Sequence, residues 1–235
     1  MDSLAIFGFG DVGWGWQFVA GLSVTLQVAL LALPLGLSVG LAIALTSQSG
    51  NRLVRGFASG YTTVFRGTPE ILTLFAIYHG GSQLVSTIGR ELGFTTGFVL
   101  PGVLAGALAL GLVFSAYAAE VWRGAIAAVG DGQKEAALSL GLRSHTAFRL
   151  VVLPQAFRIA VPGLGNLWLI LLKDTALVSI IAVADFMRQV NLAVQSTREP
   201  FALYLFACLV YVVLTLISVK ALRRLEHRAA IPAGR

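Results

Sequence analysis

The sequence predicts an all-α polytopic membrane protein with five transmembrane helices, and two observations carry that prediction. Apolar residues make up 57% of the 235 residues and charged residues only 12%, and a mean hydropathy of +0.82 excludes a water-soluble domain. The apolar residues also form five long runs, each about as long as the ~20 residues that a helix needs to cross a bilayer.

These five apolar runs are the predicted transmembrane helices. They are residues 18–45, 67–88, 98–119, 159–184 and 200–219. The second run contains Glu70 and the fourth contains Lys173 and Asp174, whereas the other three carry no charge. No internal repeat and no low-complexity linker divides the chain, so we expect a single transmembrane domain over residues 1–235.

The basic residues predict the orientation of these helices. Most of them follow the first, third and fifth runs: Arg52, Arg55, Arg123, Lys134, Arg143, Arg149, Arg158, Lys220, Arg223, Arg224, Arg228 and Arg235. Only Arg90, Arg188 and Arg198 lie in the segments on the opposite side. Because basic loops stay in the cytoplasm, we expect the amino terminus outside and the carboxyl terminus in the cytoplasm. The net charge of +6 forms no basic stripe interleaved with aromatic residues, so a nucleic-acid partner is not indicated.

Small residues within the apolar runs indicate close helix packing. Gly36 and Gly40, like Gly102 and Gly106, are one helical turn apart and allow two backbones to approach closely. The pattern leaves open whether they pack against helices of the same chain or of a partner subunit. Cys208 is the only cysteine, so the chain forms no internal disulfide and no cysteine metal site.

The segment between the third and fourth runs, about residues 123–158, is predicted to hold two short helices. We expect Asp131 to cap the first helix and Glu135 to lie in its first turn, where the helix dipole favours a carboxylate. Gly141 is suited to end this helix in a left-handed conformation. We expect Ser144 to cap a second helix that runs to Val152.

A motif occupies this segment: Glu135-Ala136-Ala137, three residues, Gly141, nine residues, Val151, one residue, then Leu153-Pro154. We expect Leu153-Pro154 to redirect the chain into the fourth run. The motif resembles the EAA loop of bacterial ABC-importer permeases, with Val151 in place of the usual isoleucine.

That resemblance implies the type I permease fold of ABC importers and a coupling role for the motif. It implies that Glu135, Ala136, Ala137, Gly141, Leu153 and Pro154 form a coupling element that fits a cleft of an ATP-hydrolysing subunit. The sequence has no G-x-x-x-x-G-K-[ST] phosphate loop, so ATP and Mg would belong to that partner. We expect no cofactor and no metal in this chain.

Four further segments resemble the polar amino acid permeases of the histidine, glutamine and opine type. They are residues 65–69 (FRGTP), 118–124 (AAEVWRG), 172–177 (LKDTAL) and 196–201 (STREPF). This narrower resemblance implies a multi-pass protein of the bacterial inner membrane that carries a polar or basic amino acid or an opine. It also implies three kinds of partner: an ATP-binding subunit dimer, a second permease chain (a paralogue or a second copy) and a periplasmic solute-binding protein.

The charged residues within the runs are the candidate ligand contacts. A lysine or aspartate at the centre of a span costs about 2.5–3.5 kcal/mol on insertion scales, so such groups face the protein interior or a wet cavity. We expect a broken helix at Lys173 and Asp174, as in the substrate sites of transporters. Asp174, Glu70, Lys173 and the adjacent Thr175 are therefore the predicted ligand contacts, and the two carboxylates favour a cationic ligand. A structural ion pair between Lys173 and Asp174 is the alternative.

Two other charged residues are expected to be structural. We expect Arg66, at the boundary of the second run, to hold carbonyls at a helix end or to reach the headgroups. Glu120, at the end of the third run, is spaced to pair with Arg123 one turn later.

Two other classes of function remain possible at this point. A self-sufficient secondary transporter or channel fits charges within the membrane, but the chain has no internal symmetry and that function does not explain the motif. An intramembrane enzyme is disfavoured because His79, His145 and His227 lie on different elements and no H-E-x-x-H sequence occurs.

Overall fold

A computed structural model describes residues 5–10, 13–91, 99–181 and 183–229. Phe98, the predicted start of the third span, and Arg235 lie outside the described residues. The α-helices of the described part are α1 (Gly15–Ser47), α2 (Arg52–Gly67), α3 (Glu70–Phe75), α4 (Gly81–Glu91), α5 (Gly102–Ala128), α6 (Asp131–Ser139), α7 (Ser144–Ala147), α8 (Leu153–Asp174), α9 (Phe186–Thr197) and α10 (Pro200–Ala229).

Shorter helical turns join several of these helices. A 3-10 turn, Ala5–Phe7, precedes α1. A π turn, Ala76–Gly80, joins α3 to α4, and a second π turn, Phe148–Val152, joins α7 to α8. The 3-10 segment Thr175–Ile181 continues α8.

Five helical segments of the described chain are long and apolar enough to cross a membrane. They are Gly15–Ser47, Glu70–Glu91, Gly102–Ala128, Ser144–Ile181 and Pro200–Arg228. Each corresponds to one predicted span, so the number and order of the spans are confirmed. Most are longer than the apolar runs, because helices continue into the polar segments that hydropathy excludes.

Helix α5 lies at the centre of the fold and packs against α1 through glycines. A methyl group on Gly40 would come within 2.8 Å of the Ala118 side chain and 2.9 Å of the Ser115 carbonyl oxygen. On the other side of α5, a methyl group on Gly106 would come within 2.8 Å of Val178. These glycines thus contact the same chain, which confirms the packing explanation of the glycine pattern.

Helix α2 was not predicted, and the expectation that Arg52 and Arg55 lie in a loop is wrong. The Asn51 side chain accepts a hydrogen bond from the Leu53 amide at 2.9 Å and so caps the helix. Basic and hydroxyl residues occupy one side of α2 and exposed apolar residues, including Leu53 and Phe57, the other. Such a mixed sequence gives no long apolar run, so span-seeking patterns miss it.

Helix α9 was not predicted either, and a buried carboxylate caps it. The Asp185 side chain accepts hydrogen bonds from the backbone amides of Met187 and Arg188, both at 3.2 Å. Burial raises the pKa of the Asp185 carboxyl to about 6, although these amide donors oppose the rise. The Thr25 hydroxyl of α1 accepts from the Phe186 amide at 3.1 Å, which ties the start of α9 to α1.

Between α5 and α8 the chain departs from prediction in its caps. Asp131 and Ser144 are the first residues of α6 and α7 and do not occupy the N-cap positions. The residue before each of them is the N-cap, and in neither helix does that residue make a capping side-chain hydrogen bond. Gly130 takes a positive φ of 75° instead and turns the chain before α6. The expectation that Leu153-Pro154 redirects the chain is also wrong, because α7, the π turn and α8 form one continuous helical segment through Pro154.

A π turn explains how Pro154 fits into this continuous segment. Proline has no amide hydrogen and its ring clashes with the carbonyl four residues earlier in a regular helix. The wider π turn, Phe148–Val152, lies just before the proline. Such turns commonly accommodate an irregularity within an α-helix.

Candidate functional site

Two of the predicted ligand contacts, Glu70 and Asp174, line one cavity. The cavity has a volume of about 180 Å³ and lies beside the central helix α5. Phe114 and Tyr117 of α5 contribute aromatic walls. The remaining lining residues are apolar: Leu110, Val113, Leu167, Ile170 and Leu171. Such a site, two carboxylates in an apolar and aromatic wall, suits a small cation with an apolar stem.

Each carboxylate lies where a helix changes or begins. Asp174 is the last residue of α8, where the helix changes from α to 3-10 and continues to Ile181, so an irregularity occurs at the predicted place but the helix is not broken. Glu70 is the first residue of α3, after the Thr68-Pro69 break that ends α2. Pro69 forces this break because the residue before a proline disfavours the α-helical conformation, and Thr68 is extended at φ −97° and ψ 132°.

Lys173 and Thr175 lie outside the cavity walls. The Lys173 side chain is exposed, whereas Asp174 beside it is half-buried. No ion pair joins Lys173 to Asp174 in the described part of the chain, where both ion pairs are made by Glu120. Thr175 is fully buried, and its hydroxyl donates to the Leu172 carbonyl at 2.7 Å. Thr175 therefore contributes to the helix junction and not to the wall.

A charged cluster adjoins the cavity at Tyr117. The Arg66 guanidinium lies 5.5 Å from the centre of the Tyr117 ring, and it also pairs with Glu120 at 3.5 Å. Glu120 accepts from Arg123 as well, which confirms the predicted pair. Arg66 is structural as expected, but it contacts a carboxylate and a ring of α5 and so joins α2 to α5.

The motif between α5 and α8 forms an exposed corner, which we call the coupling corner: α6 together with Leu140, Gly141 and Leu150. Glu135 and Ala136 face outward, and Ala137 is buried. Gly141 has a φ of 83°, so the predicted left-handed helix end is confirmed.

Two backbone hydrogen bonds secure the end of α6. The Gly141 amide donates to the Leu138 carbonyl at 2.9 Å, and the Leu142 amide donates to the Ala137 carbonyl at 3.2 Å. This pair of bonds is the Schellman arrangement, in which one left-handed residue satisfies the last carbonyls of a helix. Gly141 therefore determines where α6 stops and the angle at which the chain leaves it.

Exposed leucines surround the motif on the coupling corner. Leu140 is 83% exposed and Leu150 is 63% exposed, and Leu138 is partly exposed beside them. A cluster of large exposed apolar side chains next to a small flat helix face is typical of a protein–protein contact.

Leu153 and Pro154 occupy a different place from the rest of the motif. They begin α8 and line an apolar groove beside α1 and α10. The Gln155 side-chain Nε2 donates to the Gln133 side-chain Oε1 at 3.3 Å and so ties α6 to the start of α8. The structure thus brings Glu135, Ala136 and Gly141 together at the corner and leaves Leu153 and Pro154 at its base.

Several residues of the cavity and of the coupling corner were not predicted from the sequence. Tyr117 and Phe114 of the cavity lie in an unbroken apolar run, where no local signal distinguishes a wall residue from a core residue. The corner leucines carried a usable signal, since Leu138 and Leu140 lie within three residues of the motif on a short polar helix.

A family and several relatives match nearly the whole chain. The profile of the family described as binding-protein-dependent transport system inner membrane component matches residues 32–231. An octopine transport system permease protein of Rhizobium meliloti is 41% identical over 230 residues, which are 97% of each chain. An arginine ABC transporter permease protein of Escherichia coli K12 is 41% identical over 226 residues, covering 91% of this chain and 95% of that protein.

Solved structures share the fold. One chain of an amino acid ABC transporter solved with histidines has a TM-score of 0.77 and 37% sequence identity, and the match covers 92% of this chain and 95% of that one. A chain of an inward-facing methionine ABC transporter has a TM-score of 0.75 at 17% identity, covering 93% and 98% of the two chains. The second likeness shows the fold alone.

The chain therefore belongs to the family of binding-protein-dependent transport system inner membrane components. It is a permease subunit of an ABC importer in the inner membrane, which makes it a transport component and not an enzyme. The other two classes of function considered from the sequence, a self-sufficient transporter or channel and an intramembrane enzyme, are set aside by this membership.

Proposed function

We propose that this permease imports a cationic amino acid or an amino-acid-derived opine, and that Asp174 and Glu70 bind the positive group of the ligand. The observation that carries the proposal is the cavity in which both carboxylates meet. Permeases for octopine, for arginine and for histidine, lysine, arginine and ornithine are 41%, 41% and 35% identical to this chain, which supports a basic ligand class.

The aromatic walls of the cavity add to the preference for a cation. The ring of Tyr117 and that of Phe114 line the same small space as the two carboxylates. A guanidinium or ammonium group is attracted to the face of an aromatic ring as well as to a carboxylate. A neutral amino acid offers only its α-ammonium group, so one of the two carboxylates would lack a positive partner in the apolar wall, which is unfavourable.

The coupling corner is proposed to dock into an ATP-binding subunit. Glu135, Ala136, Ala137 and Gly141 form the helix and its end, and the exposed Leu138 and Leu140 supply apolar contact. Leu153 and Pro154 set the start of α8 beneath the corner. In this proposal ATP and Mg are bound by the partner, and closure of the ATPase pair moves the corner relative to the cavity.

The proposed orientation places the amino terminus outside and the coupling corner in the cytoplasm. The basic residues that follow the first, third and fifth spans support it. The ligand then arrives at the outer face on a periplasmic solute-binding protein. A second permease chain, a paralogue or another copy, completes the pathway.

Uptake into proteoliposomes tests the ligand class. The complete importer is reconstituted with ATP inside, and uptake of labelled arginine, octopine, glutamine and leucine is compared at equal concentration of loaded binding protein. We expect ATP-dependent uptake of arginine or octopine and none of leucine. Preferential uptake of a ligand without a positive side chain would contradict the proposed class.

A further inference from the structure

A long apolar groove runs over the surface where α1, α8 and α10 meet. It has two adjoining parts, of about 800 Å³ and about 390 Å³, which share Leu37, Phe157 and Leu225 in their walls. Phe157 and Leu225 are each 47% exposed, so the groove is open along its side. It lies apart from the Glu70–Asp174 cavity, and Leu153 and Pro154 of the motif line its larger part.

One end of this groove is basic. Arg158 of α8 and Arg228 of α10 both line the larger part, and both are exposed. Neither arginine takes part in an ion pair within the described residues, where both pairs belong to Glu120. Two guanidinium groups without an ion pair therefore line the larger part of an apolar channel.

From the arginines to its far end the groove spans about one leaflet of a bilayer, and Leu153 and Pro154 extend the wall beyond Arg158. Its far end is lined by Trp168 of α8 and Ile217 of α10. Ten residues separate Arg158 from Trp168 and eleven separate Ile217 from Arg228, which at the helical rise correspond to about 15 and 16 Å. The two estimates agree, and each is about half of the ~30 Å hydrocarbon core.

A buried donor without a partner lines the same groove. Trp122 is 5% exposed and lies in the wall of the larger part. Its indole N–H has no hydrogen-bond acceptor among the described residues. Buried donors are normally paired, so this N–H is an irregular feature of the wall. Because the nitrogen itself is buried, an occupant of the groove would reach it only after the wall side chains shift.

We propose that this groove binds an anionic phospholipid, with its phosphate between Arg158 and Arg228 and one acyl chain along the wall to Trp168. The charge favours this occupant over a second copy of the chain, which carries a net charge of +6 and would bring more positive charge to the mouth. Basic pockets between membrane-spanning helices are known to recognise such headgroups.

The proposed contact between the headgroup and the two arginines is tested by measuring lipid binding to variants that lack these charges. The full-length chain is extracted in mild detergent in the assembly that it forms in the membrane, and retained phosphatidylglycerol and phosphatidylcholine are measured by native mass spectrometry. We expect phosphatidylglycerol to bind more tightly. The double variant Arg158→Gln/Arg228→Gln should bind it about 25-fold more weakly, or about fivefold for each arginine near the headgroups.

The matched control is Arg223→Gln/Arg224→Gln, which removes the same charge from the same end of α10. These arginines are exposed but do not line the groove. We expect this control to bind phosphatidylglycerol as the unmodified chain does. Equal losses in the two double variants, or equal retention of the two lipids by the unmodified chain, would overturn the proposal.

The proposed position of the acyl chain is tested by a substitution that fills the groove. Ala221 lines the narrower part, whereas Leu216 on the same helix does not. With Trp14, Trp16 and Trp122 replaced by phenylalanine, Trp168 is the one tryptophan left. Phosphatidylglycerol with brominated chains should then quench its fluorescence. Ala221→Phe should abolish this quenching and Leu216→Phe should not.

An occupant of a different kind gives a different result in these experiments. If a second copy of the chain covers the groove, Ala221→Phe separates the copies and bound phosphatidylglycerol does not change, which refutes the lipid. If Ala221→Phe does not fold, as judged by elution volume and melting temperature, the comparison of the two double arginine variants tests the proposal by itself.

Discussion

Asp174 and Glu70 reach one cavity from the ends of two different helices, so each carboxylate can be altered without moving the other. Lys173 offers an internal comparison, because it is adjacent to Asp174 but faces away from the cavity wall. A change at Lys173 therefore removes a charge from the same region without removing a group from the cavity.

We predict that Asp174→Asn weakens uptake of a basic ligand roughly ten- to hundred-fold at sub-saturating concentration. The variant keeps the shape of the side chain and loses one charge-assisted hydrogen bond, which contributes about 1.5–3 kcal/mol. Uptake and membrane expression are measured together, with Lys173→Gln as the control that should retain uptake. Normal uptake by Asp174→Asn would remove this residue from the proposed ligand site.

Among the elements, α6 depends on a single backbone conformation. Gly141 alone takes the left-handed φ that lets the last carbonyls of α6 be satisfied, and no other atom lies within 4 Å of where its side chain would be. A substitution there is strained by its backbone and not by crowding. The coupling corner can therefore be distorted without disturbing the core of the membrane domain.

We predict that Gly141→Val uncouples transport from ATP hydrolysis while the protein still inserts into the membrane. A β-branched residue in this conformation costs about 1–2 kcal/mol, so the end of α6 should rearrange. Gly50→Val is the matched control, because Gly50 also has open space around it but has no positive φ. Ligand-stimulated ATPase activity is measured in reconstituted vesicles, where equal activity of both variants would contradict the coupling role of Gly141.

Elements were predicted from sequence to different extents, and the differences have a physical cause. The five spans are long apolar runs, a pattern that depends only on the solvent around the helix. Helix α2 has no such run because one of its sides is basic and hydroxylated, but its apolar residues recur at helical spacing, a signal that a search for spans does not use. The helix irregularity at Asp174 was predicted from its charges, whereas the break at Glu70 follows from Pro69 and was not predicted.

At the scale of the whole molecule, the spans bury very different shares of their surfaces. The most apolar segment of α5 is 67% buried, whereas those of Glu70–Glu91 and Pro200–Arg228 are each 11% buried. Helices with so little contact inside the chain leave broad surfaces for lipid and for a partner. A small ligand that contacts α5 on one side therefore needs a second set of helices to enclose it.

We predict that the working importer contains two permease chains and two ATPase subunits. Each chain carries one coupling corner, and a pair of ATPase subunits offers two docking clefts. Subunit masses of the complex, purified in mild detergent with its neighbouring subunits co-expressed, give the stoichiometry. ATP-driven uptake by a complex with one permease chain would refute the prediction, and two identical permease chains would exclude the paralogue as the partner.

The sequence by itself determined the membrane environment, the number and order of the spans and the left-handed helix end at Gly141. These properties depend on local composition and spacing, which neighbouring segments do not alter. Only the tertiary structure decided that Glu70 and Asp174 share a cavity, because 104 positions separate residues 70 and 174 and no local pattern encodes their meeting. It likewise placed Lys173 outside that cavity, since the direction of a side chain at a helix junction depends on what packs against the junction.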